Sequence, residues 1–405
     1  MTTTIALLGA FDTKGPEYAF LKACIESHGA QTLLINVGVL GSAALMPDVT
    51  AEDVARAGGA DLAALVDKKD RGEAVAAMSR GAAVLLPQLH AAGKFDAVIA
   101  LGGTGGTSVA CAAMRALPLG VPKVMVSTVA GGDVSAYVGV SDIVMIPSIV
   151  DVAGVNKISR GVFARAAGAV CGMAMAKVPS GADKPLVVAS MFGNTTKAVG
   201  KATEVLEAAG YEVLVFHCTG NGGRTMENLV ASGAISGVLD ITTTEWADQV
   251  VGGVFDAGPD RCGAAARHGV PAIVAPGCID MVNFWAPDTV PAQHKGRTFY
   301  PHNPNVTLMR TTVEENVAMA ERMAALLNES KAPVTVLYPR MGVSVIDSPG
   351  GPFWLPEANE AWLRVMKERL RPGIEVVELD NNVNDEPFAV ACAEALLANM
   401  KAAKS

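Results

Sequence analysis

Three observations predict two doubly wound α/β domains with mainly parallel sheets. Strand-length apolar runs alternate with helix-length patterns almost from end to end, the mark of strand–helix–strand units with right-handed crossovers. Half the residues are hydrophobic and only 5% aromatic, which suits β-branched strands beneath close-packed, alanine-rich helices. At 405 residues the chain exceeds one ordinary core.

In the first domain, strands at residues 5–8 and 32–37 flank a helix at 16–28, whose Leu21, Cys24, Ile25 and His28 share one face. A second series sets strands at 97–101, 124–127 and 143–146, with a small-residue helical pattern at 109–116 and a long helix at 155–176. The polar, proline-flanked stretch Lys177-Val178-Pro179-Ser180-Gly181-Ala182-Asp183-Lys184-Pro185 breaks the pattern and reads as a linker. Domains at 1–180 and 184–405 follow from it. The second domain restarts with strands at 186–189, 213–216, 238–241, 272–275 and 306–309, and helices at 195–209, 225–232, 260–268 and 314–328. A capping box in Thr312-Val313-Glu314-Glu315 opens the last of these. Strands at 334–338 and 375–379 and helices at 357–370 and 386–400 close the chain. Both domains begin with a strand, a phenylalanine (Phe11, Phe192), a polar turn and a lysine. That is either a duplicated unit or convergence, since every doubly wound domain begins this way.

The densest functional signal is Leu101-Gly102-Gly103-Thr104-Gly105-Gly106-Thr107, where a buried strand ends and a helix begins. Unblocked N–H groups, threonine hydroxyls and a helix N-terminus favour an anion there, usually phosphate. The loop is neither a Walker A motif nor a clean dinucleotide fingerprint. The competing reading is a tight turn in which glycine only supplies positive φ. Ligands of open α/β sheets sit beyond the carboxyl ends of strands, where the strand order reverses. The first domain's candidates are therefore Asp12, Thr13 and Lys14, the loop Gly102 to Thr107, Ser127 and Thr128, and Gly131, Gly132 and Asp133. Together they form a nucleotide site. Amides and threonines face phosphates, Lys14 serves as cation, and Asp12 or Asp133 faces a magnesium ion, which needs only one or two carboxylates besides phosphate oxygens. Asp12 serves equally well as an N-cap, and Lys14 as a solvated side chain.

In the second domain, Gly193-Asn194-Thr195-Thr196 opens a helix and His217 to Thr225, with Arg224, forms a second glycine-rich turn. Asp240 and Thr242-Thr243-Thr244-Glu245 end a third strand. The stretch from Gly277 to Asn305 reads as an irregular segment too long for a passive loop. Its aromatics Phe284, Trp285, Phe299 and Tyr300 argue against disorder. A histidine beside Asp280 would be a general acid/base near neutral pH. The catalytic candidates are thus Asp280, His294 and His302, with His217 and Arg224, while Arg297 and Arg310 would clamp an anionic substrate. In the competing reading Arg297 and Asp280 only pin the loop by an ion pair. His268, late in a helix, helps satisfy its terminal carbonyls. The spacing of these groups fits no regular metal motif, and no Gly-x-Ser-x-Gly, HExxH or reactive-cysteine signature is present.

The net charge of −8, without a Lys/Arg block, argues against nucleic acid or anionic membrane as the main partner. Seven cysteines without a CxxC pair read as reduced thiols. With no basic leader and no apolar run long enough for a bilayer, the expectation is a soluble cytoplasmic protein.

The runs Phe11-Asp12-Thr13-Lys14-Gly15, Leu101 to Thr107, Asp151-Val152-Ala153-Gly154-Val155-Asn156-Lys157-Ile158-Ser159-Arg160 and the segment from Gly277 to Arg310 resemble one family over essentially the whole chain. It is the family of the ATP-binding domain of the tomato mosaic virus resistance protein and its uncharacterised bacterial homologues. The resemblance implies two Rossmann-like domains, ATP with Mg2+, and self-association into a homo-oligomer. The plant protein's further carboxy-terminal barrel-like region has no counterpart in this sequence, so no activity that depends on it is expected. The expected function is an ATP- and magnesium-binding enzyme acting on a small anionic metabolite in an interdomain cleft, where closure aligns reactants. The alternatives are a nucleotide-binding regulatory or partner-binding module without catalysis, and a sugar-phosphate or carboxylate isomerase or hydrolase whose glycine loop holds substrate phosphate.

Overall fold

The computed structural model describes residues 2–179, 181 and 183–404, which divide into two compact units, Met1–Ser180 and Gly181–Ser405. Ser180 and Ala182 of the expected linker lie outside the described residues. The rest of it, residues 177–179, 181 and 183–185, is exposed and neither helix nor strand. Limited subtilisin digestion is expected to cut between residues 176 and 185 before any other interior site. Earlier cleavage inside either unit, seen by mass spectrometry of the first fragments, would place the weak point elsewhere.

The first unit runs β1 (Thr4–Gly9), α1 (Gly15–Ser27), β2 (Gln31–Asn36), α2 (Ala51–Ala57), α3 (Leu62–Lys68), α4 (Arg71–Ala91), β3 (Ala97–Gly102), α5 (Thr104–Arg115), β4 (Lys123–Ser127), α6 (Ser135–Val138), β5 (Ile143–Pro147) and α7 (Lys157–Met175). Its five strands are parallel, in the order β2-β1-β3-β4-β5. The central strand β3 is buried along its whole length, which is why it reads as a continuous apolar run. Phe11, Tyr18, Leu21, Phe163 and Val170 fill one face under α1 and α7. Val54, Met78, Leu86 and Met114 fill the other under α2, α4 and α5. The expected alternation passes from residue 37 to 97 and omits α2, α3 and α4. Their starts are nevertheless marked by side-chain caps at Thr50, Asp61 and Asp70. Helix α4 passes close to α2 only because Gly81 has no side chain: a Cβ there would stand 1.8 Å from the Val54 carbonyl oxygen.

The second unit continues with β6 (Leu186–Met191), α8 (Thr196–Ala208), β7 (Glu212–His217), α9 (Asn221–Ala231), β8 (Ile235–Thr242), α10 (Glu245–Val251), α11 (Gly263–His268), β9 (Ala272–Gly277), β10 (Met281–Phe284), β11 (Phe299–Asn303), β12 (Val306–Arg310), α12 (Val313–Leu327), β13 (Val334–Pro339), α13 (Pro356–Arg369), β14 (Glu375–Leu379) and α14 (Glu386–Ala402). Its main sheet is parallel and ordered β14-β13-β9-β8-β6-β7. Read from its own first strand, that is the order of the first unit with one strand added. Two Rossmann-like α/β units with mainly parallel sheets are therefore present, as the alternation predicts. The Gly277–Asn305 segment, expected to be irregular, is not: β10 and β11 both pair antiparallel with β12 in a separate three-stranded sheet. The capping box at Thr312 and Glu315 forms as read, with Thr312 accepting from the Glu315 N–H and Glu315 from the Thr312 N–H.

Candidate functional site

In the first unit the strand order reverses between β1 and β3, where a crevice opens at the carboxyl ends of the strands. Their pairing stops at Leu8 and Ala100. Beyond it the Tyr18 hydroxyl is wedged between them, donating to the Leu8 carbonyl (2.6 Å) and accepting from the Leu101 N–H (2.9 Å). Burial pushes this phenol far up, offset in part by the Leu101 backbone bond, so it is a neutral donor. Gly9 makes room for the ring, since a Cβ there would stand 2.0 Å from it. Tyr18 thus fixes how far β1 and β3 splay, and with it the spacing of the two loops that follow.

The glycine loop follows β3. Gly103 is the N-cap of α5, in an extended conformation and with no side-chain cap bond. None of Gly102, Gly103, Gly105 and Gly106 has positive φ, so the reading in which glycine serves only a left-handed turn is wrong. Packing does not require them all either. A Cβ on Gly102 would come within 3.3 Å of Gly106, but one on Gly103, Gly105 or Gly106 would meet nothing closer than 3.5 Å. Among the described residues no group accepts from the N–H of Thr104, Gly105 or Gly106, the orphan donors of a helix N-terminus. The atom at 3.5 Å from a Cβ on Gly105 is a guanidinium nitrogen of Arg71, which begins α4. Arg71 is exposed and has no hydrogen bond or ion pair among the described residues. Thr128, at the end of β4, brings its hydroxyl to 3.8 Å from a Cβ on Gly103.

The other first-unit candidates divide. Asp12 accepts from the Leu40 N–H (2.7 Å) with one carboxylate oxygen, while its buried Oδ1 has no partner. It does not cap α1: the N-cap is Lys14, without a side-chain cap bond. Lys14 is not simply solvated, since its ammonium donates to the Val152 carbonyl. Beside it the Glu17 carboxylate accepts from the Gly154 N–H, so α1 anchors the segment that leads into α7. Thr13 is exposed. Thr107 is buried, bonded to the Gly103 carbonyl and to Ser127 Oγ (2.6 Å), and braces the loop from beneath. Asp133 accepts from the Ser135 N–H, which holds its carboxyl below the usual range. Gly131 stands in open space.

The second-unit candidates do not converge. Asp280 is fully buried and accepts from Ser344 Oγ (2.8 Å). His294 is buried in a 3-10 turn against the Phe284 ring, beside Gln293. His302 is exposed on β11. Among the described residues neither histidine bonds a carboxylate, so the expected Asp280–histidine pair does not form. His217 stacks on Phe192 with ring centroids 5.3 Å apart. Arg224 donates to the Gly220 and Asp256 carbonyls. The expected anion clamp does not form, because Arg297 is held bidentately by Glu315 (2.9 and 2.8 Å). Arg310 is used up on Phe353, Thr311 and Asn359. Nor does Arg297 pair with Asp280.

This unit's own switch point, between β6 and β8, is filled. Thr242, Thr243, Thr244 and Glu245 are all fully buried. Glu245 accepts from the Gly220 and Gly223 N–H groups (2.8 and 3.0 Å), so a carboxylate already occupies the start of α9. Its other oxygen receives the Nε of buried Arg261, whose remaining nitrogens grip Asp240 at 2.6 and 2.7 Å and reach Glu227 at 3.1 Å. Sequence reasoning did not single out Arg71, Tyr18 or Arg261. The cap at Asp70 was the available signal for Arg71; the other two are set by long-range packing.

The fold defines a two-domain Rossmann-like α/β protein whose first switch point leaves helix-start amides without an acceptor among the described residues. The chain belongs to the Uncharacterised protein family (UPF0261): the family's N-terminal domain matches residues 3–179 and its C-terminal domain residues 184–400. It is 48% identical over 403 residues to a UPF0261 protein of Clostridium tetani, covering 99% of this chain and 100% of that one. It is 42% identical over 335 residues to the ToMV resistance protein Tm-1(GCR237) of Solanum lycopersicum, covering 81% of this chain but 44% of that protein. Among solved structures, UDP-N-acetylglucosamine 2-epimerase from Rickettsia bellii aligns with a TM-score of 0.24 at 10% identity, over 67% of this chain and 79% of that one. So low a score carries no functional argument. No described helix is long and apolar enough to cross a membrane.

Proposed function

We propose that this chain binds ATP with Mg2+, the phosphates resting on the Thr104, Gly105 and Gly106 amides at the start of α5. The observation that carries this reading is that Gly103, Gly105 and Gly106 lack side chains without any conformational or packing need. Close approach of a ligand to the backbone supplies the missing reason. Arg71 and Thr128 add a charge and a hydroxyl at the same place. The buried, unpartnered Oδ1 of Asp12 fits a magnesium ligand, whereas Asp133 is engaged with Ser135. The ion, when bound, would neutralise phosphate charge.

A nucleotide-binding module without catalysis is the second reading. It is favoured by the internal pairing of Arg297 and Arg310 and by the separation of Asp280 from His294 and His302. Gly105→Val sets a branched side chain against Arg71 and over the amides. It is expected to weaken ATP binding by more than about tenfold, ~1.4 kcal/mol, in calorimetry with Mg2+, while the melting temperature holds. Unchanged affinity in the folded variant would refute the loop assignment. Phosphate release measured on the same samples separates an enzyme from a binding module.

A further inference from the structure

The first unit has an open cleft of about 960 Å3 between the end of β2 and helices α2 and α3, a volume typical of small-molecule sites. It stands apart from the glycine loop, since no residue from Gly102 to Thr107 lines it. We propose that this cleft binds an organic polyamine that carries a carbonyl group, with its ammonium groups on the carboxylates of the α2–α3 wall and its carbonyl oxygen on the side-chain amide of Asn36.

Charge selects the sign of the ligand. Glu52, Asp61 and Asp67 line the cleft, against one basic side chain, Arg56. Arg56 is already paired with Asp53 at 3.0 Å. Glu52 and Asp67 are exposed and have no hydrogen bond or ion pair among the described residues, and Asp61 spends one oxygen on the Ala64 N–H. Such a wall repels phosphate and attracts cations. Apolar surface accompanies these charges: Leu40 and Val66, both on the cleft wall, are 80% and 42% exposed. Methylene spacers would cover that surface while their ammonium ends stay at the carboxylates, as the stem of a lysine does.

A second observation asks for an acceptor on the same ligand. Asn36 ends β2, lines the cleft and is only 5% exposed. Its carbonyl oxygen accepts from the Phe11 and Gly38 N–H groups (3.1 and 3.0 Å), which fixes the orientation of the amide. Nδ2 is left with no acceptor among the described residues. A nearly buried donor without a partner costs stability, and a ligand carbonyl would satisfy it.

Calorimetry on the intact protein uses two probes, monoacetylspermidine and spermidine. Wild type is expected to bind both and to prefer the acetylated one. Ala63 is exposed on α3 and lines the cleft, so Ala63→Trp fills the space without a core contact and should weaken both by about tenfold or more. Asp67→Asn should weaken both by about threefold or more. Glu394→Gln, exposed on α14 of the other unit, should change neither. Asn36→Asp keeps the acceptor for Phe11 and Gly38 but removes the donor, and should erase the preference for the acetylated probe. No binding by wild type overturns the proposal, as does wild-type affinity in folded Ala63→Trp and Asp67→Asn. A loss in Glu394→Gln equal to that in Asp67→Asn overturns it too, since it would mean diffuse attraction to an acidic surface. Equal affinity of wild type for the two probes overturns the contact with Asn36.

Discussion

Replacing Arg261 with leucine is expected to destabilise the second unit by about 3–5 kcal/mol, the usual cost of stranding buried charge. Arg261 is 1% exposed and binds Asp240 through two nitrogens, Glu245 through Nε, Glu227, and the Thr242 carbonyl. Without it, buried Asp240 and Glu245 lose the cation that they share. The damage spreads, because Glu245 also secures the Gly220 and Gly223 amides at the start of α9. Urea unfolding followed by tryptophan fluorescence would report the loss, since Trp246 lies in this core. Arg261→Leu with Asp240→Asn and Glu245→Gln should recover part of it. A single variant within about 0.5 kcal/mol of wild type, the range of ordinary surface changes, would mean that water reaches these carboxylates.

Stability should also fall between pH 4 and 7, and Asp280→Asn should remove part of that fall. Burial first, and then the neighbouring Asp347, push the Asp280 carboxyl up to about 7, against the pull of Arg310. Oδ1 of Asp280 and Oδ1 of Asp347 are both buried without a hydrogen-bond partner. Arg310 lies 3.6 Å from Asp347 and gives its hydrogen bonds elsewhere. One guanidinium faces two carboxylates, so a proton on one of them relieves the excess charge. The sign follows from a folded value above the unfolded one. The protonated form is favourable below about pH 4, and its advantage is lost as pH rises through 7. At ~1.4 kcal/mol per pH unit, the change is on the order of a few kcal/mol. Asp248 is buried and raised to about 7 in the same direction, so wild type and variant must be compared at each pH. Asp280→Asn should match wild type near pH 4 and exceed it in melting temperature at pH 8. Equal destabilisation at both would show that Asp280 stays charged.

What could be read from residues in order was local grammar. The apolar run into Gly102 and the Thr312–Glu315 box each depend on neighbours within one turn, and they appear where expected, whereas α5 begins at Thr104, five residues before the pattern read at 109–116. The helices at residues 51–91 were missed: Thr50, Asp61 and Asp70 mark their starts, but weak apolar periodicity hid them. The second unit's chemistry was not legible, because its polar groups choose partners far along the chain. Asp280 meets Ser344, 64 residues on, in place of a histidine in its own loop. Arg297 finds Glu315 in the first turn of α12. Strands β10 and β11 are too short for a period-two pattern and need β12 to exist. A run of His, Asp and Arg therefore read as one cluster, whereas its members bond partners far along the chain.

Glu245 on the α9 amides has a consequence for the exchange of backbone protons with solvent. The second unit is self-liganded: the Gly220 and Gly223 N–H groups are already closed by an internal carboxylate and should exchange with deuterium slowly, only through larger openings of the unit. The amides of Thr104, Gly105 and Gly106 have no such lid and should exchange within the earliest time points. Added nucleotide should slow them while leaving Gly220 and Gly223 unchanged. One unit closes its helix amides with a carboxylate of its own chain, and the other leaves them open to solvent.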